Sequence, residues 1–372
     1  MTLRSDAIKQ RARELGFDLC GVAPALAFPE LSFLPEWLAR GYAGEMAYMH
    51  KSAATRADIR NFLPSARSVI VTGTIYNTEQ GERQKAEGKK ADAIRVARYA
   101  RGQDYHKVIE DRLIEFVAWM KSVSSEPFEA AHFVDKHHVQ ERVFAQHAGI
   151  GWIGKNTCVI NREQGSWMFL SGIATSLALR ADAPAVDQCG ACTLCIDACP
   201  TAAIVDARVV DATKCISYLT IEVDGPIPEA QRAHIGNHAY GCDICQDVCP
   251  WNLAPAVSDD EAWRGPRRDG LSASELWGRS DFDLHQLVKD SAMTYLPMSR
   301  LRRNLAVVIG NSGGAEHAER LDLPGGGVRN AANSAKTPVV ADAVAWARRR
   351  LGRERTRKCE VDSDEVAKER LK

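Results

Sequence analysis

The chain of 372 residues sets 48 Lys and Arg against 48 Asp and Glu, so no overall field draws in a polyanion, and any nucleic-acid contact must be a local patch. Its 45% hydrophobic content is enough to bury two or three cores. No run approaches the roughly eighteen uninterrupted apolar residues of a membrane span, and the opening MTLRSDAIKQRARELGF reads as a charged amphipathic helix without an export core. A cytoplasmic protein is expected.

In chain order, residues 1–185 alternate helical and strand patterns. Apolar spacing predicts a helix over 7–15, a short strand over 17–22 and a helix over 34–42 closed by a glycine-rich turn. The β-branched run SVIVTGTIY at 68–76 suits a buried strand. A long amphipathic helix follows over 105–123, then a strand over 130–134 leading to Asp135, a helix over 139–147 and a strand-like stretch over 167–179. This alternation predicts an α+β or α/β domain over 1–185, with strand ends that host a ligand. Residues 186–255 form a cysteine-bearing module. Residues 256–372 read as helical, most clearly in SRLRRNLAVVIGNSG and TPVVADAVAWARRRL, with a charge-rich tail after Arg353 that is expected to fray.

The cysteines carry the most chemistry. Cys189-x2-Cys192-x2-Cys195-x3-Cys199 precedes Pro200, and Cys242-x2-Cys245-x3-Cys249 precedes Pro250. This is the spacing of a module holding two 4Fe-4S clusters, in which each run gives three thiolates to one cluster while its last cysteine closes the other. Cys189, Cys192, Cys195 and distant Cys249 would hold one cluster. Cys199, Cys242 and Cys245 supply three corners of the other. A symmetric module would place the missing corner at 239, which is Ala239, so the nearest unassigned cysteine, Cys215, is taken as the fourth ligand. Two four-thiolate zinc sites could use Cys-x2-Cys pairs, but the four-cysteine first run and the paired Cys-Pro endings favour clusters. A radical-SAM triad fails, because its third position falls on Ala202 or Asn252. The remaining Cys20, Cys158 and Cys359 match no disulfide framework, as expected in a reducing compartment.

Asp135 ends an apolar strand, where burial would raise a carboxyl pKa and fit it to donate a proton; the alternative is a helix N-cap. His132, His137, His138 and His147 suggest a metal, but no carboxylate or cysteine completes a site in the sequence, so structural roles are expected. Arg300, Arg302 and Arg303 on one helix, with Arg348, Arg349 and Arg350 ending another, form either a phosphate-contacting stripe or a solvated face.

The blocks ELGFDLCGVAPA, WLARGYAGEMAYM, LPSARSVIV, ARYARGQDYHKVI, FVDKHHVQERVFAQHAGIGWIGKNT, GSWMFL, CISYLTIE and CDICQDVCPWN resemble the successive signatures of the epoxyqueuosine reductase family, in family order across residues 10–255. The resemblance implies an N-terminal cobalamin-binding α/β catalytic domain (1–185), a ferredoxin-like module with two 4Fe-4S clusters (186–255) and a short helical, HEAT-like C-terminal region (256–372) that contacts tRNA. It implies reduction of epoxyqueuosine to queuosine at the wobble position of a GUN-type anticodon, the last step of queuosine synthesis. Electrons would come from an external donor of flavodoxin or ferredoxin type; a monomer is expected from the neutral overall charge rather than from the resemblance. Asp135 matches the family's catalytic acid. Arg56, Tyr99, Arg142, Asn156 and Ser217 lie in signature blocks and are the expected cobalamin contacts or their supports, with Gly151 and Gly154 letting backbone approach the corrin. The chain lacks an Asp-x-His-x-x-Gly loop, because Asp104-Tyr105-His106 is not followed by a glycine at 109, so cobalt is expected to have no protein histidine ligand. Two departures from the family concern RNA: Asp224 would repel a phosphate, and the glycine-rich DLPGGG stretch abbreviates the C-terminal repeat. The alternative function is a reductive dehalogenase-like cobalamin enzyme with a small-molecule substrate. A pure electron-transfer module ranks last, since it would need neither Asp135 nor the large N-terminal domain.

Overall fold

The computed structural model describes residues 3–78, 91–266, 268–314, 321 and 337–352. They fall into two compact units. The first comprises Met1–Gln84, Arg98–Cys215 and Asp243–Gly265; the second comprises Lys85–Ala97, Ile216–Cys242 and Pro266–Lys372.

The first unit is built on a four-stranded sheet in the order Leu19–Pro24, Ser68–Ile75, Met168–Thr175, Ala130–Val134. Every neighbouring pair is antiparallel. The expectation of a mixed helix and sheet domain holds, and of its two forms, α+β and α/β, the antiparallel pairing selects α+β. Alternating helices and strands read alike in either case, because strand direction leaves no mark on residue pattern. All eight residues of Ser68–Ile75 are buried, as a central strand covered on both faces requires. Within it the Thr72 hydroxyl lies 2.7 Å from that of Ser171, while the equally deep Thr74 Oγ1 has no hydrogen-bond partner among the described residues.

One sheet face, carrying Val69, Val71, Phe133 and Ala174, packs on Val143, Phe144 and Ala145 of the helix Glu141–His147. The other face meets the helix Tyr105–Val123, whose Ile109, Leu113, Phe116 and Met120 recur at helical spacing and are buried. Each such side chain contributes about 1.5–3 kcal/mol. Asp104 fixes the start of this helix by accepting from the His106 amide at 3.1 Å.

The cysteine runs form two matching arms. Short helices Leu194–Asp197 and Ile244–Asp247 each carry the penultimate cysteine of a run, Cys195 and Cys245. Each then closes with the same backbone turn, Cys199 N to Ile196 O at 3.2 Å and Cys249 N to Gln246 O at 3.1 Å. The following proline cannot continue the helix, which ends each arm at its last cysteine.

The second unit pairs Arg95–Val96 in parallel with His238–Tyr240. Its described residues beyond 268 are otherwise mainly helical: Ala273–Trp277, Asp281–Val288, Met298–Asn311 and a helix over 338–352. The last two pack closely, since a Cβ on Gly310 would lie 2.7 Å from the Trp346 ring.

Here the expected arginine stripe is corrected. Arg302 and Arg303 are fully buried. Arg303 donates to the carbonyls of Leu219, Val223 and Gly225 at 2.6–2.9 Å, at and just beyond the end of the helix Ile216–Ile221. Arg302 donates to the Trp277 and Arg279 carbonyls at 3.1 and 2.8 Å and to Asp281 at 2.6 Å. Both guanidinium groups thus satisfy carbonyls left open where helices end, a task that takes planar, multiply donating cations out of solvent. Arg300 pairs with Asp224 and donates to the Ile221 carbonyl at 2.7 Å, so the Asp224 charge is compensated within the protein. Arg348 and Arg349 lie exposed at the end of the 338–352 helix, and Arg349 reaches Glu229 at 3.3 Å. The DLPGGG stretch and the tail after Arg353 lie outside the described residues. Among the described residues, no helix is long and apolar enough to cross a membrane.

Candidate active site and cysteine ligand loops

Asp135 sits where the edge strand Ala130–Val134 ends, with φ +34°, in the left-handed region that Asp tolerates better than most residues. The turn aims its carboxylate at the start of the helix Tyr105–Val123. Oδ2 accepts from the Tyr105 hydroxyl at 2.5 Å and lies 3.2 Å from His106 Nε2. The other imidazole nitrogen, Nδ1, is 2.7 Å from the buried Asp104 carboxylate. Carboxylate, imidazole and carboxylate therefore stand in line, with a phenol on the outer member. Tyr105 is itself stacked on Phe169, ring centroids 4.3 Å apart.

The titration of this line differs from the sequence expectation. Enclosure by protein pushes the Asp135 carboxyl up. Hydrogen bonds from His106 and Tyr105, then the charges of His106 and Arg142, outweigh it and hold the group below its ordinary value. The Asp135 side chain keeps 63% of its surface accessible, so the partners weigh more than the burial. For His106 the same balance acts with opposite sign: burial opposes its charge, but the bonds and charges of Asp104 and Asp135 raise it to about 9. At neutral pH the proton resides on His106, and Asp135 is its ionised partner.

Glu141 was not singled out in the sequence. Desolvation first, then the nearby Asp135 charge, lift its carboxyl to about 8, and its enclosed Oε1 has no hydrogen-bond partner among the described residues. Two neighbouring carboxyls whose environments push them in opposite directions are a familiar arrangement where acid and base roles are divided.

The other expected site residues divide by how their polar atoms are used. Arg56 is half-buried and donates to Ser52 Oγ at 2.9 Å and the Val139 carbonyl at 3.1 Å. Tyr99 packs edge-on to Tyr105 at 6.2 Å. Arg142 is exposed and reaches Thr157 Oγ1 at 3.3 Å. Asn156 is buried, donating to the Cys245 carbonyl at 3.1 Å and accepting from the Cys158 amide at 3.2 Å, so it positions a cysteine arm. Ser217 lies in the second unit, where its carbonyl accepts from Thr220. Gly151 and Gly154 have a local explanation: a Cβ on either would meet Ile160 at 2.3 and 2.5 Å within the ribbon Trp152–Ile153 with Val159–Ile160. His147 stacks on Phe28 and faces Glu30 at 3.3 Å. The expectation that no carboxylate joins the histidines is corrected, because Glu110 lies beside His132 and His137.

In the cysteine module, Cys249 is buried, and its electrostatic neighbours are Cys189, Cys195 and Cys192. The last thiol of the second arm has thus come to the first three of the other. Trp152 donates to Cys189 Sγ at 3.5 Å, and Lys155 donates to the Gly190 and Cys192 carbonyls, each at 2.8 Å. None of the ten described cysteines forms a disulfide.

Residues 188–252 match the family model described as a 4Fe-4S double cluster binding domain, and residues 56–136 match the model of epoxyqueuosine reductase QueG. The epoxyqueuosine reductase of Gloeobacter violaceus is 44% identical over 315 residues, covering 82% of this chain and 96% of that protein. This chain belongs to the epoxyqueuosine reductase family. A family member from Pseudomonas aeruginosa is 36% identical over 352 residues, 94% of each chain. Among solved structures, an epoxyqueuosine reductase with an epoxyqueuosine-modified tRNA-Tyr stem loop superposes with a TM-score of 0.81 at 26% identity, covering 93% of this chain and 90% of that one. The Streptococcus thermophilus epoxyqueuosine reductase superposes at 0.78 with 25% identity, covering 92% and 88%. As a member of the epoxyqueuosine reductase family the chain is an oxidoreductase, with a 4Fe-4S double cluster binding domain over its cysteine arms.

Proposed function

We propose that this enzyme reduces epoxyqueuosine to queuosine at the wobble position of tRNA, using two 4Fe-4S clusters and cobalamin. Family membership carries the reaction, and the single observation that carries the chemistry is the Asp104–His106–Asp135 line with Tyr105 on its outer carboxylate. Turning the epoxide into an alkene releases its oxygen as water, which takes two electrons and two protons. A protonated His106 next to an accessible Asp135 is a proton supply of the kind this step needs.

Cobalamin fits the residues around Asp135. A corrin is rimmed with amides, and the protonated Glu141 carboxyl with its orphaned oxygen, together with the Arg142 guanidinium, offers donors suited to amide carbonyls. Arg56, Tyr99 and Arg142 would hold it, with Asn156 acting through the Cys245 loop. Both nitrogens of His106 are engaged by carboxylates, which keeps that imidazole for the proton line. When bound, cobalamin supplies a strong low-potential reductant or nucleophile toward the epoxide. The chain's own part is to bind the modified base, to hold the proton on His106 Nε2 and to pass it through Asp135 Oδ2 to the departing oxygen.

The proximity of Cys249 to Cys189, Cys192 and Cys195 supports these four as one ligand set. Cys199, Cys215, Cys242 and Cys245 make up the other by spacing. Retention of full iron and an unchanged reduced-state EPR spectrum in Cys215→Ser would remove Cys215 from it. Along the sequence the roles are catalysis in 1–185, cluster wiring in 186–255 and tRNA contact by a HEAT-like helical region in 256–372, with an external donor of flavodoxin or ferredoxin type.

The deciding experiment is anaerobic incubation of iron-reconstituted protein with cobalamin, a strong reductant and an epoxyqueuosine stem-loop, followed by mass spectrometry of the nucleosides. Cobalamin-dependent loss of one oxygen is expected. No conversion by protein loaded with both clusters and cobalamin would overturn the reading.

A further inference from the structure

We propose that Glu110, His132 and His137 form a binding site for a divalent transition metal, with zinc the best match, that clamps the turn carrying Asp135. The three donors come from three elements: Glu110 from the helix Tyr105–Val123, His132 from the strand Ala130–Val134, and His137 from the turn that follows. One ligand atom from each lies within 4.8 Å of the others, a spread that small side-chain rotations close to the separations found around a single ion.

The chemistry of the set is selective. Two imidazoles and one carboxylate, with further positions open to water, suit zinc and its neighbours in the first transition row far better than calcium or magnesium. His137 can serve in one of its two tautomers. Its Nδ1 lies 3.1 Å from the Val134 carbonyl and also 3.1 Å from the Val134 amide that donates to it; a metal would select the form with the proton on Nδ1, donated to the carbonyl, which frees the Nε2 lone pair to coordinate. His132 Nε2 stands 3.6 Å from Glu110 Oε1, and both side chains are 27% exposed, so an ion can enter from solvent.

The site also has an internal competitor. Lys136 Nζ holds Glu110 Oε2 at 2.6 Å, a partly exposed ion pair of the kind worth about 0–1 kcal/mol. The metal would take the Glu110 carboxylate from Lys136 and replace that weak tie with coordination. Asp135 lies between ligands His132 and His137 in sequence, and its partner His106 stands one helical turn before Glu110. Occupancy would therefore fix the backbone of the turn on one side while the Asp135 carboxylate stays on the other, facing Tyr105 and His106.

Cluster-loaded full chain, freed of loose metal with EDTA, is dialysed against increasing zinc, and zinc and iron per chain are read together by mass spectrometry. The expected result is one zinc per chain beyond that bound by the double variant His132→Ala/His137→Gln, with iron unchanged. Affinity should fall at least about tenfold in that variant and tighten by up to about fivefold in Lys136→Met, which removes the competitor. Hydrogen exchange of amides 134–138 should slow on zinc addition in the unaltered chain only. Equal zinc uptake in chain and double variant, no zinc retained, or zinc gained only as iron is lost would each overturn the site. Zinc bound with exchange at 134–138 unchanged would overturn the clamp.

Discussion

The Asp135 turn of the first unit and the helix Met298–Asn311 of the second both gather charged side chains, yet use them in opposite ways. In the helix, Arg302 and Arg303 are wholly buried and their donors are spent on carbonyls at helix ends. At the turn, Asp135 stays accessible, and its partners shift where a proton resides without enclosing it. A charge committed to backbone holds a fold together. One paired with another titratable group stays able to exchange a proton, and chemistry needs that freedom.

Substitutions can break this contrast. Asp135→Asn should lower single-turnover conversion by about 10²–10⁴-fold with iron content and melting temperature little changed; full turnover would end the proton-donor role. Arg303→Met should do the reverse. It strands the carbonyls of Leu219, Val223 and Gly225 and should cost about 3–5 kcal/mol by denaturant melt, so a variant as stable as the parent would show these bonds to be dispensable.

His106→Gln sharpens the proton assignment through pH. The folded His106 value of about 9 lies above its ordinary value near 6.5, so the His106–Asp135 ion pair is complete below the ordinary value and is lost as pH rises through about 9. Turnover by the parent should therefore fall on an alkaline limb near pH 9. In the variant, rates should drop about tenfold or more at neutral pH and that limb should vanish; its persistence would place the controlling group elsewhere. Arg300→Ala, which loses a pair with exposed Asp224, should change stability by about 1 kcal/mol or less.

Much of the fold was readable where pattern and packing agree. The helix Tyr105–Val123 and the strand Ala130–Val134 fall where apolar spacing sets them, and the buried run Ser68–Ile75 is nearly as predicted. Strand direction was not readable, because alternation of helix and strand is common to parallel and antiparallel sheets. At the site, Asp135 could be singled out from its place at a strand end, but the sign of its pKa shift could not. That sign depends on His106 and Tyr105, thirty residues away in sequence and brought across only by packing of the helix on the sheet. Glu110 was missed for the same reason, although its place four residues after His106 on one helix face was a signal that could have raised it. The arginines misled because a basic run looks the same whether its donors meet phosphate or carbonyl.

The closeness of Cys249 to Cys189, Cys192 and Cys195 also has a topological consequence. A cluster seated on these four sulfurs ties the chain into a ring of about 55 to 60 residues, and closing a ring of that size removes several kcal/mol worth of freedom from the unfolded chain. Oxygen, by dissolving the inorganic core, would cut that knot as surely as a reductant opens a disulfide, so air exposure should lower the melting temperature along with the electron supply.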